Sequence, residues 1–372
     1  MNFWPAKSIV RLGELSKLSK QAKKRILEIL SVSKTEPTVE EAASQLPEIE
    51  STTKIETRGL SMPIIGIGTW QIEPIYIESC LSYALDAGYR HIDTAYSYGN
   101  EAAIGHALNN MFKADALNRE ELFITSKLPF YGMSPEGVRH FVGQTLKNLK
   151  AGYLDLYLIH YPVGVRYKDG QFTVDPETDH VKIWRALEDE VCKGRIKNLG
   201  VSNFNIPQVK KILKFAKIAP ANIQVELHLY HQQKEMLSFC ADNAIALTAY
   251  APLGSPGLDQ FLVSHDLNFS DVPMPLKNPT VVKIARKHKK TPAHVLLRFL
   301  IQNGICVIPK SRNPDRIVRN FNVFDFSLDA EDVTALSNLD MNEQGQMFLH
   351  VWDGTEDHPE YPFAPPNSDK RN

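Results

Sequence analysis

A chain of 372 residues, 43% hydrophobic and 23% charged, has the mixture of a soluble globular protein, and its length suits two ordinary domains or one large one. A formal net charge of -1 offers no field to draw in nucleic acid or an acidic membrane, and no apolar run approaches the ~20 residues of a membrane span. The four cysteines, Cys80, Cys192, Cys240 and Cys306, lack Cys-x-x-Cys spacing and sit in apolar patterns. They read as packed, reduced thiols, with neither a disulfide framework nor a metal site.

Residues 1–50 stand apart. Met1 to Lys34 carries eight Lys or Arg against two acids, whereas Thr35 to Glu50 carries five glutamates and no base. Leu12, Leu15, Leu18, Ala22, Ile26 and Ile29 recur every three or four residues, so one helix face would be apolar. Three readings stay open: a solvated extension, a helix packed on the main domain or on a partner, or a mitochondrial presequence, against which the two acids weigh. The expected location is cytoplasmic, with the mitochondrion as the alternative, and the expected state is a monomer.

From Thr57 onward short apolar runs alternate with helical periodicity. Ile64–Gly68 precedes a helix around Tyr76–Ala87, and Tyr89–Asp93 precedes Ala102–Phe112. Leu122–Lys127 precedes Pro135–Lys150, with Ser134 as N-cap. Leu154–His160 precedes Val181–Lys193 after a long loop, Ile196–Val201 precedes Pro207–Ala216, and Ile223–His228 precedes Lys234–Asn243. Ile245–Tyr250 precedes, after another long loop, the helical region Val281–Gln302, and Cys306–Ile308 precedes Arg316–Asn320. Eight strand–helix units with strands this apolar predict a closed parallel (β/α)8 barrel over residues 51–372. An open doubly wound sheet is the alternative, but its usual Gly-x-Gly-x-x-Gly is absent: Gly66-Ile-Gly68 continues as Thr69-Trp70-Gln71.

Barrel sites are built at the carboxyl ends of the strands. Those ends hold Trp70, Asp93 with Tyr98, Lys127, His160, Ser202-Asn203, Gln224 with Glu226, Tyr250 and Lys310. Each has a plain structural explanation alone, since a strand-end lysine can reach water and a core histidine can bond backbone. Together they place an acid, a phenol, an amine and an imidazole at one mouth. A free phenol titrates near ~10, too weak an acid to protonate an alkoxide well at neutral pH. A neighbouring ammonium is expected to lower that value, a carboxylate to hold the lysine, and an imidazole to orient a carbonyl oxygen. The matching task is to protonate a carbonyl oxygen as hydride reaches its carbon. No side chain is a hydride source, so a reduced nicotinamide is implied. Tyr250 offers a ring for it to stack on, and Ser202, Asn203 and Gln224 could bond its carboxamide. Lys310, Ser311 and Arg316, with Arg312 beside them, supply what a 2′-phosphate dianion requires.

The stretches Gly88-Tyr-Arg-His-Ile-Asp-Thr-Ala-Tyr-Ser-Tyr-Gly-Asn-Glu101, Leu154-Asp-Leu-Tyr-Leu-Ile-His-Tyr-Pro162, Gly200-Val-Ser-Asn-Phe204, Thr248-Ala-Tyr-Ala-Pro-Leu-Gly-Ser255 and Val307-Ile-Pro-Lys-Ser311 resemble the aldo-keto reductases, from about Ile55 to Phe363. The resemblance implies an NADPH-dependent reductase of aldehydes and ketones on a (β/α)8 barrel, acting on small-molecule carbonyl substrates. It implies a tetrad of Asp93, Tyr98 as proton donor, Lys127 tuning the tyrosine and His160 orienting substrate. It assigns nicotinamide contacts to Ser202, Asn203, Gln224 and Tyr250, a pyrophosphate loop to Leu253 and Ser255, and the 2′-phosphate and adenine site to Lys310, Ser311, Arg316 and Asn320. Thr69, Trp70 and Asp93 join the expected cofactor contacts, and Trp70, His160 and Tyr161 the substrate contacts. The segment Gln344–Phe363 resembles the loop that closes over substrate.

Departures from that pattern are specific. Arg319 stands where a glutamate usually meets the adenine amino group, and Ala251 replaces a common serine. Leu128-Pro129-Phe130 and Tyr161 stand where pocket tryptophans are common. The rival class is a barrel retained for binding or structure, and alcohol oxidation would use the same residues.

Overall fold

A computed structural model of the chain describes residues 49–168, 171–258, 273–348 and 354–363. The amphipathic and acidic stretches read in the N-terminal extension lie outside the described residues, as does Trp352 of the C-terminal segment. The described chain opens with a hairpin, β1 (Lys54–Thr57) and β2 (Leu60–Pro63), paired antiparallel through Thr57 and Leu60. Its turn puts Arg58 and Gly59 at φ 44 and 82, the paired left-handed conformation that suits the twist of a tight hairpin.

Eight parallel strands follow: β3 (Ile67–Gly68), β4 (His91–Asp93), β5 (Phe123–Leu128), β6 (Leu154–Ile159), β9 (Ile196–Ser202), β10 (Asn222–Glu226), β11 (Ala246–Tyr250) and β12 (Cys306–Val307). Each pairs with its successor in chain order, for example Lys127 with Leu158 and Glu226 with Tyr250. Backbone bonds from Gly66 N to Val307 O (2.9 Å) and Val307 N to Ile64 O (3.0 Å) join the first strand to the last. The sheet is closed, and the fold is a (β/α)8 barrel. The doubly wound alternative is excluded.

Helices α1 (Pro74–Ala87), α2 (Glu101–Lys113), α3 (Pro135–Leu149), α4 (His180–Cys192), α5 (Ile206–Phe215), α6 (Lys234–Asp242), α8 (Pro292–Gln302) and α9 (Pro314–Phe321) return the chain between strands, with α7 (Pro279–Lys287) and α10 (Ala330–Ser337) added. Ser134 caps α3 by accepting from Gly137 N at 3.0 Å, as its place before Pro135 predicts. Between helices and barrel lies a continuous apolar shell; a second cluster inside the barrel packs Leu60 and Met62 against Phe123, Leu156, Ala246 and Cys306. The hairpin therefore plugs the end from which β5, β11 and β12 start, leaving the opposite end for a site.

Four details differ from the sequence reading. The region Val281–Gln302 is two helices, because Lys289 takes φ 54 and Thr291 caps a new helix before Pro292. The long loop after β6 carries a hairpin, β7 (Val165–Lys168) with β8 (Gln171–Val174). Tyr98, grouped above with the strand ends, closes a one-turn 3-10 helix, Tyr96–Tyr98, after β4. Cys80, Cys240 and Cys306 are buried, but Cys192 is exposed at the end of α4; all four are free thiols.

Candidate active site

Side chains from the carboxyl ends of β4, β5 and β6 meet around one buried ammonium. Lys127 has no exposed surface; its Nζ donates to Asp93 Oδ1 at 2.5 Å, to the Thr94 carbonyl at 2.9 Å and to Tyr98 OH at 3.4 Å. An unpaired charge here would cost several kcal/mol, and three acceptors satisfy all three of its donors. The other oxygen of Asp93 accepts from Gln224 Nε2 at 2.7 Å, and its carbonyl accepts from both N and Oγ1 of Thr69 at 3.0 Å. Asn100, fully buried, donates to the Thr69 and Ile72 carbonyls at 2.8 and 3.0 Å and accepts from Thr94 Oγ1 at 3.1 Å. That staple fixes the turn after Tyr98, so the phenol is held against Lys127. The Tyr98 ring meets the His160 ring at 5.6 Å and 74°.

Burial raises the Tyr98 phenol above its ordinary value; Lys127 pulls it down, but burial prevails. This corrects the expectation that the lysine leaves the phenol a stronger acid: removing a phenolate from water outweighs the ammonium's attraction. Burial works against the charge on Lys127, yet Asp93 and Tyr98 carry its pKa above the ordinary lysine value. Burial, with the Lys127 charge behind it, lowers His160 to about 3, so the imidazole is neutral at pH 7. Its Nδ1 is buried and has no hydrogen-bond partner among the described residues.

Beside this cluster Asn203, in the left-handed region at φ 63, donates to the His160 carbonyl (2.9 Å) and Ser202 Oγ (3.3 Å), and accepts from Tyr250 OH (2.8 Å). Ser202, Asn203 and Tyr250 thus stand together, whereas the Gln224 amide is bonded to Asp93. Trp70 and Tyr250 both meet Phe348 edge-on, at 5.7 and 5.6 Å. Tyr161 is 2% exposed, its ring 6.3 Å from that of Phe363. Leu253 and Ser255 lie in the turn after β11, where Ala251, Gly254 and Ser255 take φ 51, 73 and 43. After β12, Lys310, Arg312 and Arg316 are exposed while Ser311 and Asn320 are buried. Among the described residues Lys310 and Arg316 form no salt bridge, whereas Arg312 Nη1 bonds both oxygens of Glu73 at 2.7 and 2.6 Å.

The pattern of the aldo/keto reductase family matches residues 64–341. Aldo-keto reductase family 1 member A1 of Mus musculus is 41% identical over 321 residues, covering 83% of this chain and 97% of that protein. The Homo sapiens protein of the same name is 40% identical over the same spans. The structure of the aldose reductase from Schistosoma japonicum superposes with a TM-score of 0.74 at 39% identity, covering 84% of this chain and 98% of that one.

The chain belongs to the aldo/keto reductase family. As an aldo/keto reductase it is an oxidoreductase that acts on carbonyl groups with a nicotinamide cofactor. The residues present fit such a group: Ser202, Asn203 and Tyr250 gather polar atoms beside an aromatic ring, and the cations after β12 suit a phosphate. Among the described residues no cluster of His, Cys, Asp or Glu could hold a metal ion, and no helix is long and apolar enough to cross a membrane. Two residues of this reductase escaped a functional assignment from sequence. Asn100 lies within the Gly88–Glu101 stretch with no role of its own there, yet its burial gives it the staple. Glu226 stood among the strand-end polar residues, but besides His228 its carboxylate takes its partners from Met347 and Phe348, far along the chain.

Proposed function

We propose that this aldo/keto reductase reduces aldehydes and ketones to alcohols with NADPH, with Tyr98 as the proton donor. The observation that carries the reading is the placement of Lys127 Nζ, wholly buried between Asp93 Oδ1 and Tyr98 OH. NADPH, when bound, supplies the hydride. The neutral imidazole of His160 orients the carbonyl oxygen toward the phenol. Because burial keeps Tyr98 protonated, the phenol waits in its acid form; as negative charge grows on the carbonyl oxygen, Tyr98 passes its proton there. Lys127 then stabilises the phenolate left behind, and Asp93 keeps the ammonium charged and in place. Ser202, Asn203 and Tyr250 form the shelf for the nicotinamide, and Thr69 and Trp70 border it. Gln224 joins them at the nicotinamide carboxamide through its amide oxygen, while its Nε2 steadies Asp93. Leu253 and Ser255 line the pyrophosphate, while Lys310, Ser311, Arg316 and Asn320 take the 2′-phosphate and adenosine. Trp70, His160 and Tyr161 face the carbonyl compound.

The experiment is NADPH oxidation, followed by absorbance, against a panel of aldehydes and ketones, with Tyr98→Phe alongside. The variant should lose roughly 10²–10⁴-fold in kcat, with NADPH affinity nearly unchanged. Turnover near that of the unaltered protein would remove Tyr98 from the role of proton donor.

A further inference from the structure

Glu226 ends β10 with 2% of its surface exposed, and two of the three bonds its carboxylate makes go to the C-terminal segment. Oε1 accepts from Met347 N at 2.8 Å and from His228 Nε2 at 2.9 Å; Oε2 accepts from Phe348 N at 3.0 Å. The tautomer follows, because His228 Nδ1 already accepts from Tyr230 N at 3.3 Å, leaving Nε2 as the donor. The turn after Glu226 is a bed for the same segment. Tyr230 O accepts from Met341 N at 2.8 Å, His231 Nδ1 donates to Asn342 O at 2.8 Å, and Gln232 N donates to Asp340 Oδ1 at 3.1 Å. Gly345 lies so close that a Cβ there would come within 2.0 Å of Tyr230 O. Past this bed the segment has no helix or sheet of its own before Phe348, whose ring stands edge-on to both Trp70 and Tyr250.

We infer that Glu226 is the positioning residue for the carbonyl pocket: it holds Phe348, through the backbone of 347 and 348, as the wall between Trp70 and Tyr250. The chemistry suits the task. A carboxylate offers acceptors on both oxygens, and bonds from backbone N–H groups to a buried charge are about twice as strong as neutral ones. An amide at 226 would keep one acceptor and turn an NH2 group against the second N–H, so Phe348 would lose its fixed place while β10 stayed intact. Glu226 touches neither carbonyl nor cofactor in this scheme; it acts through Phe348. The inference rests on the reductase function proposed above.

The test is a double-mutant cycle of Glu226→Gln and Phe348→Ala, reading carbonyl KM, kcat and NADPH Kd by tryptophan fluorescence, with Tyr98→Phe as control. Each single variant should raise the carbonyl KM about tenfold, with kcat and NADPH Kd within about threefold, the signature of lost substrate positioning. The double variant should be no worse than Phe348→Ala, because both remove the same wall. An unchanged KM in Glu226→Gln, or losses that multiply in the double variant, would overturn the inference. A general loss of structure would instead weaken NADPH as much as the carbonyl, which also counts against it. Should Glu226→Gln not fold, Met347→Pro removes the donor at 347 and leaves the carboxylate, and the same KM rise is expected; a KM equal to that of the unaltered protein sinks the idea. Absence of Tyr98-dependent turnover in the unaltered protein would show up first and separately, as a failure of the reductase reading that takes this inference with it.

Discussion

Lys127 illustrates how a single residue's role depends on its neighbours. In sequence it is a lysine at the end of an apolar strand; in the fold it has no exposed surface and three acceptors. Asp93, Lys127 and His160 were legible because each is a polar residue at a strand end, and Tyr98 because it lies in the short connection that follows one, where topology already points to one mouth. The direction of the Tyr98 shift was not legible, since it turns on how much water the fold removes, a tertiary quantity. Nor was the bond from Gln224 to Asp93, which lies 131 residues back. The cations after β12 carry a prediction at this scale. Lys310 and Arg316 are exposed and in no salt bridge among the described residues, so their charge is available to a phosphate. Changing Lys310→Met together with Arg316→Ala should weaken NADPH by roughly two orders of magnitude and NADH far less, since each lost charge-assisted contact costs about 1.5–3 kcal/mol. Isothermal titration with the two nucleotides decides it, and equal losses for both would refute the phosphate assignment.

At the scale of elements, the eight strand–helix units follow from periodicity, but what locks them together does not. The hairpin β7–β8 is signalled by Asp169-Gly170 between alternating apolar residues but sits in a long connection that the eight-unit periodicity passes over. The break between α7 and α8 combines Lys289 in the left-handed region with the Thr291 cap before Pro292. The contact between α2 and α3 depends on Gly105, where a Cβ would come 2.1 Å from Asn148 O and 2.6 Å from Leu149 C. The same seam is stitched by Glu101, whose Oε1 accepts from Ser126 Oγ at 2.7 Å and Oε2 from Asn148 Nδ2 at 3.2 Å. Backbone cannot yield as a side-chain tip can, so Gly105→Ala must push the helices apart. The expected cost is about 1–3 kcal/mol of stability. Because α2 starts directly after Asn100, whose staple fixes the Tyr98 turn, kcat should fall as well. Urea unfolding and steady-state rates on the same preparation would test both. A stability loss with kcat untouched would mean that the Asn100 staple isolates the tyrosine from its helix.

For the whole molecule, burying so much imidazole ties stability to acidity. Burial lowers His91 to about 4 and His160 to about 3, and it lowers His180 and His294 as well. In the unfolded chain each titrates near 6.5. Above that pH neither state binds the proton and the native state keeps its full stability. As pH falls from 6.5 toward the folded values, the unfolded chain takes up protons that the native state refuses, so stability is lost. Each histidine contributes up to about 1.4 kcal/mol per pH unit within that window. Glu101, raised by burial, runs the other way near the same range, but it is one group against four. Carboxylates that the fold holds low, such as Asp325 with Lys290, add their losses only at lower pH. Urea midpoints should therefore drop steadily from pH 7 to pH 5, and His160→Asn should flatten part of that slope by removing one of the four groups. A midpoint constant over this range would mean that the barrel relaxes to admit water to these rings, and the neutral imidazole required at the carbonyl would lose its physical basis.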